Sequence, residues 1–581
     1  MQRKNKFKIL LFIWLIAIAF ASALPILWIR FNLEDNWRGV IPNYITDSTF
    51  YLARINKTIA DFPMSGNHYY LEHRFDSQPV FSIAETIVAL PMKFGISFNA
   101  GLLLGFIAAS IFFALFTYKF LRFFVGRLWA VILASLVYVV SYGGLVRPVV
   151  MEVIMPAFIF FNWSMFSWLQ SEKKRYGIFL GLAIAASFYL YSYLWQIVVL
   201  VVFFTCIYLM IFRQWKKFSV LLKISFLSLI MATPAIFYTF KVSFLTPGYW
   251  ENVQRVGFVA THLPPIEAYY YGRWLIMAGL IWVLFFRKQL KEKTITIWYF
   301  LIVSAAVFLA LVSNAITGKD FLIATHVNRF TTVWFALVLG MFLYYFIILK
   351  LYRGKMFVVI VALFLMLIGT LTVFAEIKRS VSPPFSISYT DALAVQDYRA
   401  PLAWLDGSEK EPVVIWADDE LSRYVPYLSK HYVLYPGLLN VHFYIMQTSE
   451  IRERYLVSQY FENLSKKTLT EEYVKYEGSY FDYKKNELEL RNSLCTMFKI
   501  RAEFCREDFL DTLNVQKNDA VAEAFKLNNE TIRPNIRQYL KKYHVSYFIR
   551  DITRGPLSAK QRSFTMTSVY NDGHYEIFKI D

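Results

Sequence analysis

The chain has 581 residues, of which 57% are hydrophobic, 19% aromatic and only 18% charged. Soluble globular chains carry about 25% charged residues, so this composition excludes an ordinary soluble protein and indicates an integral membrane protein. The net charge of +19 does not indicate a nucleic-acid partner. Its lysines and arginines cluster in short segments between apolar stretches, a pattern typical of loops that set membrane orientation.

The N-terminus begins with a basic segment and an apolar stretch over residues 9–29. This order predicts a cytoplasmic N-terminus followed by an uncleaved membrane anchor, although Ala21-Ser22-Ala23 resembles a signal-peptidase site. The next segment, residues 30–97, is long and rich in carboxylates, histidines, arginines and tyrosines. Loops of that kind are usually ordered and functional, so we predict a large first outer loop here.

Further apolar stretches of about 20 residues each follow as far as residue 375. Residues 177–212 are long enough for two spans that turn near Ser192 and Tyr193. A second long outer loop is predicted over residues 241–268, and an outer turn over 317–328. Because the inner segments carry more Lys and Arg than the short outer turns, we predict about eleven spans, with the N-terminus inside and the C-terminus outside.

After residue 375 charges become frequent, and Pro383-Pro384 marks a linker. Strands are predicted at 413–416, 431–435 and 545–549, helices near Asp418 or Asp419 and over 536–543, and a hairpin of 567–570 with 575–580. The sequence therefore predicts a polytopic α-helical membrane domain over residues 1–375 and an extracytoplasmic mixed α/β domain over 376–581. In the latter, Cys495 and Cys505 are either a disulfide or two buried thiols.

Asp47 is the first candidate for chemistry, in the segment Asp47-Ser48-Thr49-Phe50-Tyr51-Leu52-Ala53-Arg54. A carboxylate at the outer membrane edge can act as a general base on an acceptor hydroxyl or as a metal ligand. Asp-Ser-Thr before an apolar stretch is also typical of a helix N-cap. Arg54 falls on the same helical face two turns later, where it could hold a phosphate or pair with Asp47 or Asp61.

Glu152 and Arg329 lie at the mouths of two other predicted spans. A carboxylate at the end of a span is costly to desolvate, which indicates either a functional group or a solvated cap. Arg329, close to His326, could bind a lipid phosphate or simply extend into the lipid headgroups. We expect Asp47, Glu152 and Arg329 to face one cavity, with Arg54 holding Asp47 ionised.

Several other polar residues are candidate contacts for a sugar or an acceptor: Tyr51, His73, Glu85 and His326. The spacing of His68, His73 and Asp76 does not define a metal site, so surface hydrogen bonding is the favoured interpretation for them. Glu85 is either a buried partner or part of the polar face of a membrane-surface helix.

These features together resemble the GT-C superfamily of membrane glycosyltransferases. The segment from Asp47 to Arg54 is similar to the Asp-x-x-Tyr-type first-loop motif of oligosaccharyltransferase catalytic subunits. Arg147 to Glu152 lies where that family carries an Asp-x-Glu motif, but Val150 replaces its first acid. The family's WWD-type motif is absent, and Trp416-Ala417-Asp418-Asp419 is only a faint echo of it. Arg329 lies where the family places a basic residue for the donor phosphate.

The resemblance, which concerns the layout of the first 375 residues, implies a reaction. A sugar or oligosaccharide would pass from a polyprenyl-phosphate or polyprenyl-diphosphate donor to an envelope glycan, lipid or protein on the outer face, with inversion at the anomeric carbon. Asp47 and Glu152 would be catalytic and could hold a divalent cation, Mg or Mn, while Arg329 and Arg54 would bind the donor phosphate. Membrane lipids are implied as partners, and nucleic acid is not.

Two alternative functions are a transporter or flippase of lipid-linked saccharides and a non-catalytic envelope-polysaccharide assembly protein with a sugar-binding outer domain. Transporters usually contain paired broken helices and inverted halves. The sequence shows no such symmetry, and its candidate acids lie at the outer edge rather than within the spans. The pattern therefore favours the enzyme.

Overall fold

The structure is a computed structural model that describes the chain except for Met1, Asp581 and residues 44–46, 63–65, 78–82, 265–267, 286–293, 346–355, 443–445, 500–504 and 506–507. The first part is helical, and its helices are α1 (Gln2–Leu33), α2 (Ser48–Ala60), α3 (Ile83–Lys93), α4 (Phe98–Leu121), α5 (Arg127–Leu145), α6 (Val150–Ser171), α7 (Lys174–Leu190), α8 (Ser192–Ile211), α9 (Trp215–Leu245), α10 (Tyr249–Arg255), α11 (Ala268–Phe285), α12 (Thr294–Leu311), α13 (Ser313–Thr317), α14 (Ile323–Leu343) and α15 (Met356–Val381).

A helix lies at each position where the apolar stretches predicted a span. Among the described residues, α1, α4, α5, α6, α8, α9 and α14 are long and apolar enough to cross a membrane, and α11 and α12 contain shorter apolar helices. The predicted turn within residues 177–212 falls at Tyr191, an extended residue between α7 and α8. The number of helices that cross the bilayer, and their orientation, stay predictions.

The predicted first outer loop contains two helices of its own, α2 and α3, which pack against each other. The second predicted loop contributes strand β1 (Phe258–Ala260), which pairs antiparallel with β2 (Lys319–Phe321). Because β2 directly precedes α14, this ribbon fixes the entrance of α14, the helix that carries His326 and Arg329.

The C-terminal region contains a five-stranded sheet, as its sequence predicted. Its strands are β3 (Val414–Trp416), β4 (Tyr432–Val433), β5 (Val545–Asp551), β6 (Met566–Asn571) and β7 (Tyr575–Ile580), and its helices are α16 (Tyr389–Ala394), α17 (Arg399–Ser408), α18 (Asp419–Leu428), α19 (Thr448–Ser458), α20 (Lys466–Glu471), α21 (Tyr473–Glu477), α22 (Tyr480–Phe498), α23 (Asp508–Lys526), α24 (Ile536–Lys542) and α25 (Ala559–Ser563). The order is β4-β3-β5-β7-β6, with β3 parallel to both β4 and β5 and the β6–β7 hairpin antiparallel. Cys495 and Cys505 form a disulfide.

The first outer loop is packed onto the C-terminal region, and the two share one apolar core. The hydroxyls of Tyr424 and Tyr427 on α18 accept hydrogen bonds from the backbone N–H groups of Asn43 and Ile41, at 3.0 and 3.1 Å. The buried Lys57 ammonium of α2 donates to the carbonyl of His431 at 3.2 Å. The C-terminal region therefore supports the start of α2, where Asp47 lies.

Candidate active site

Asp47 occupies the N-cap position of α2, as one interpretation of the sequence predicted, but its side chain makes no cap hydrogen bond. Its Oδ2 instead accepts a hydrogen bond from the guanidinium of Arg147 and forms an ion pair with it. Arg147 lies in the turn between α5 and α6. Its Oδ1 is buried and has no hydrogen-bond partner among the residues that the structure describes. A buried oxygen that accepts no hydrogen bond is costly, and such groups are often found at functional sites.

Arg147 is held between Asp47 and the ring of Tyr51, with its guanidinium carbon 5.2 Å from the ring centroid. Burial raises the pKa of the Tyr51 hydroxyl, Asp47 adds to this rise, and Arg147, Arg329 and Arg54 oppose it. The Tyr51 hydroxyl is therefore neutral near pH 7 and can both donate and accept a hydrogen bond. The charges of Asp47, Arg147 and Arg329, which lie on three different elements, therefore all act on the Tyr51 hydroxyl.

Tyr191 shows the same convergence from the opposite side. Burial raises the pKa of its hydroxyl, and the charges of Arg329, Arg147 and Asp47 all act on it. The Tyr191 hydroxyl is hydrogen-bonded to Nδ1 of His326, whose ring stacks on that of Tyr193 with centroids 4.6 Å apart. Tyr191, the extended residue between α7 and α8, thus contacts His326 in the first turns of α14.

Arg147 and Arg329 line one cavity of about 530 Å³ between α5, α6, α14 and α15. Glu376 also lines it, but its carboxylate is paired with Arg273 of α11. Arg329 and Arg379 line the same cavity and have no ion-pair partner in the described part of the chain. The lining also includes apolar side chains, among them Met151, Met155 and Val333. The cavity is therefore lined by both cationic and apolar side chains.

A close approach of α15 to α5 forms one wall of this cavity. The backbone N–H of Gly143 donates to the Ser380 hydroxyl at 2.7 Å. A Cβ at Gly143 would meet the Ser380 carbonyl oxygen at 2.4 Å, well inside contact distance. Only glycine allows the end of α15, with Glu376 and Arg379, to lie this close to α5.

Glu152 lies apart from this cavity. Its side chain is 1% exposed, and its Oε2 accepts a hydrogen bond from the Val149 backbone N–H at 3.2 Å. Its Oε1 lies against α4, where a Cβ at Gly105 would meet it at 2.3 Å. Val149 has a φ of 70°, which is strained for a β-branched residue. The geometry therefore makes Glu152 a buried support for the turn that presents Arg147, and not a solvated cap. The expected common cavity is not seen, because neither Glu152 nor Asp47 lines the cavity that Arg329 lines.

Arg54 does not take the place beside Asp47 that was expected for it. Its Nη2 pairs with Oε1 of Glu85 on α3 at 2.9 Å, and both side chains are largely buried. Glu85 is thus a buried partner, one of the two interpretations of its sequence. The spacing of Asp47 and Arg54 predicted a shared face, but Asp47 precedes the first turn of α2 and turns toward Arg147, which supplies the opposite charge instead.

His73 contacts Asp76 and, across the chain, Glu450 of α19. Its contacts thus join the loop to the C-terminal region and involve neither Asp47 nor Arg329, so the hydrogen-bonding interpretation is the one that its geometry supports. Its role as a sugar or acceptor contact stays a prediction.

The residues around Asp47 do not fit a divalent cation. One carboxylate oxygen is bound to the Arg147 guanidinium, whereas Mg and Mn prefer several oxygen ligands. Glu152 binds a backbone N–H, and no group of three or more potential metal ligands occurs among the residues searched, which are the described ones. We therefore derive no step through a metal.

The sequence analysis missed three residues of the candidate site. Arg147 was noted only as a neighbour of Glu152, yet an arginine just before a proline at the mouth of a span was a usable signal. Tyr191 and Arg273 gave no signal, because each lies near a different predicted span and only the packing of the helices brings them to the site.

The chain is therefore a predominantly helical protein with several membrane-competent helices, a C-terminal sheet and a cationic cavity beside a buried carboxylate. It is distantly similar in structure to oligosaccharyltransferase catalytic subunits. The apo Archaeoglobus fulgidus oligosaccharyltransferase aligns over 93% of this chain and 70% of its own, at 11% identity and a TM-score of 0.43.

Two complexes of the A. fulgidus protein align in the same way. The one with Zn and sulfate covers 98% of this chain and 88% of that one, at 12% identity and a TM-score of 0.42. AglB with an inhibitory peptide and a dolichol-phosphate covers 93% and 69%, at 12% identity and a TM-score of 0.40. No family model and no curated protein matches the chain. The similarity is distant, so the function proposed below rests on this chain's own residues.

Proposed function

We propose that the chain is a membrane glycosyltransferase that transfers a sugar or oligosaccharide from a polyprenyl-phosphate or polyprenyl-diphosphate donor to an acceptor on the outer face of the membrane. One observation carries this proposal. In the described part of the chain, Asp47 keeps one buried carboxylate oxygen without a hydrogen-bond partner, and Arg329 has no ion-pair partner. Arg147, which is bound to the other Asp47 oxygen, lines a cavity together with Arg329.

The charges of the cavity favour a phosphate as ligand. The positive charge of Arg147 is balanced by Asp47 and the negative charge of Glu376 by Arg273, which leaves the charges of Arg329 and Arg379. Guanidinium groups bind phosphate oxygens through charge-assisted, often bidentate, hydrogen bonds. The apolar side chains that line the same cavity suit a lipid chain, so the ligand that matches both kinds of lining is a lipid phosphate.

The chemistry then needs only positioning, a proton acceptor and charge neutralisation. The acceptor hydroxyl gives its proton to Oδ1 of Asp47 while its oxygen forms a bond to the anomeric carbon. The bond from that carbon to the phosphate oxygen breaks, and its electron pair leaves with the lipid phosphate, which Arg329 stabilises. Attack from the side opposite the leaving group inverts the anomeric carbon. Tyr51 and His326 are proposed contacts for the acceptor or the sugar.

The outer location of the site is part of the proposal. It is supported by the Lys and Arg bias of the sequence and by the disulfide between Cys495 and Cys505, because disulfides persist in oxidising compartments. We propose a membrane domain over residues 1–375 and an extracytoplasmic domain over 376–581, with the last membrane helix, α15, continuing to Val381. An envelope glycan, lipid or protein is the proposed acceptor.

The test is mass spectrometry of lipid-linked saccharides and envelope glycans from cells that lack the gene and express either wild type or a variant. Asp47→Asn keeps the size of the side chain but removes the general base, which typically contributes 10²–10⁴-fold in rate. We expect the glycan product to disappear and the lipid-linked donor to accumulate, with normal protein levels in the membrane. Asp35→Asn, an exposed acid in the same loop, is the matched control.

Arg329→Gln separates donor use from catalysis. We expect it to raise the donor concentration needed for half-maximal transfer, because a charged contact to the phosphate is lost. Arg30→Gln, an exposed arginine at the end of α1, is its control. Full product formation by Asp47→Asn would refute the enzyme. If cells with Asp47→Asn formed the product normally, but lipid-linked saccharide crossed the membrane only in cells with wild type, the transporter would be the correct function.

A further inference from the structure

A second cavity, of about 460 Å³, lies in the C-terminal region, at the carboxyl ends of strands β3 and β5. β3 continues through α18 to β4 on one side, while β5 pairs with β3 on the other side. In parallel sheets, the crevice outside the carboxyl ends of two such strands is where ligands generally bind. The cavity volume also falls within the range of about 300–1,000 Å³ that is typical of small-molecule sites.

The floor of this cavity is aromatic. The rings of Trp416, at the end of β3, and Phe461 stack in parallel with centroids 4.6 Å apart and planes 3° apart. Phe548 of β5 packs against Phe461 at 5.3 Å, and the Trp416 indole is fixed by a hydrogen bond of 3.0 Å to the Ser458 carbonyl. The aromatic floor is therefore rigid before any ligand binds.

The walls carry many charges, but these charges compensate one another. Arg554 lies 3.3 Å from carboxylate oxygens of both Asp418 and Asp551. Asp419 pairs with Lys475 at 2.9 Å. Arg550, the remaining cation of the lining, lies 3.9 Å from Glu576, so the cavity offers no excess of positive charge for a phosphate. Glu462 is the one lining carboxylate without an ion pair in the described part of the chain, whereas a metal ion needs several oxygen ligands.

Fixed hydrogen-bonding groups of both kinds above an aromatic floor match the chemistry of a sugar. Sugar hydroxyls donate to carboxylates and accept from guanidinium and amide groups, and the C–H face of the sugar ring packs on an aromatic ring. We propose that this cavity, lined by Trp416, Asp418, Phe461, Asp551 and Arg554, binds a neutral saccharide. It shares no lining residue with the cavity of Arg147 and Arg329, so it is a separate site that does not depend on the proposed catalysis.

The test is saturation-transfer NMR on the full-length protein in detergent micelles. The probes are a panel of neutral mono- and disaccharides, with glucose 6-phosphate as the charged comparator. We expect millimolar binding of at least one neutral sugar and at least tenfold weaker binding by Arg554→Ala. That side chain is 59% exposed, so its loss should not disturb folding. Phe461→Leu, which keeps apolar bulk but removes the ring, should also weaken binding.

Arg562→Ala is the matched control, because Arg562 is exposed on α25 and does not line the cavity. Wild-type affinity in this control and in Asp47→Asn would place the binding at this site rather than at the proposed active site. The proposal is overturned if no neutral sugar binds, if only glucose 6-phosphate binds, or if Arg554→Ala and Phe461→Leu bind as wild type. Loss of binding in Asp47→Asn alone would also overturn it, and would instead support the catalytic cavity.

Discussion

The contact of His73 with α19 should make the attachment of the first outer loop depend on pH. Nδ1 of His73 lies 2.6 Å from Oδ2 of Asp76, and Nε2 lies 3.1 Å from Oε1 of Glu450. The fully buried Arg454 continues this network, donating to Glu450 and to Glu72 of the loop at 2.9 Å each. The loop that carries Asp47 is thus joined to the C-terminal region by alternating charges, and His73 is the member whose ordinary pKa lies closest to neutral pH.

The size of the effect follows from the pKa of His73. Burial by itself would lower this pKa, but the hydrogen bonds to Asp76 and Glu450 prevail and raise it from 6.5 to about 9. Burial likewise acts to raise the pKa of Glu450, yet His73 and Arg454 lower it to about 2. Both pKa shifts come from the same contact between His73 and Glu450, so its stabilisation is counted only once. At about 1.4 kcal/mol per pKa unit, the protonated contact stabilises the attachment by about 1–3 kcal/mol after allowance for partial exposure.

The direction of the pH dependence follows from the difference between the His73 pKa in the folded protein and in the unfolded chain. Because the pKa is higher in the folded protein than in the unfolded chain, the stabilisation is complete below about pH 6.5 and is lost as the pH rises through about 9. Hydrogen exchange over residues 66–77, corrected for the intrinsic rate, measures the free energy of opening. Wild type should open more readily at pH 9.5 than at pH 6. His73→Gln should be less protected at pH 6 and nearly independent of pH, and an unchanged pH dependence in this variant would refute the reasoning.

Three further predictions concern the frame of the site. Gly143→Val should separate α15 from α5, which should lower the stability by about 1–3 kcal/mol in a thermal-shift assay and reduce transfer activity in a product assay. Gly126→Ala is the control, because a Cβ there meets nothing within 4 Å, and it should change neither stability nor activity. Glu152→Gln keeps an acceptor for the Val149 N–H and should stay active, while Glu152→Ala should lose about 1–3 kcal/mol; equal inactivation of both would favour a catalytic role. Reducing the disulfide at Cys495 should cost about 2–3 kcal/mol, and free alkylation of that thiol without reductant would contradict the bond.

The helices and strands could be predicted from the sequence because their signals are local. Long apolar stretches indicated the membrane-competent helices, and Asn571-Asp572-Gly573 between alternating residues indicated the β6–β7 hairpin, which the structure confirms. The helix that begins after Asp418 was also correct, since Asp418 caps α18 through hydrogen bonds to two backbone N–H groups.

The pairings within the site could not be predicted, because they depend on how separate helices pack. The spacing of Asp47 and Arg54 describes one isolated helix and contains nothing about α3 or the turn before α6, which supply Glu85 and Arg147. His73 and Glu450 are 377 residues apart, and no local pattern links them. Sequence reasoning therefore identified Asp47 as a candidate but not Arg147, the cation that is paired with it.

The pairing of that cation, Arg147, with Asp47 supports the proposed chemistry, because it does not serve stability. A buried ion pair is weak evidence for stability, since the cost of removing both charges from water often exceeds their attraction. Here the cost is increased by Asp47 Oδ1, which has no hydrogen-bond partner among the described residues, and by a strained Val149 directly after the Arg147-Pro148 turn. Apolar residues of similar size would form a more stable contact. A fold that keeps this arrangement, and uses the buried Glu152 to hold its turn, maintains an acid poised beside a cationic cavity at the expense of stability.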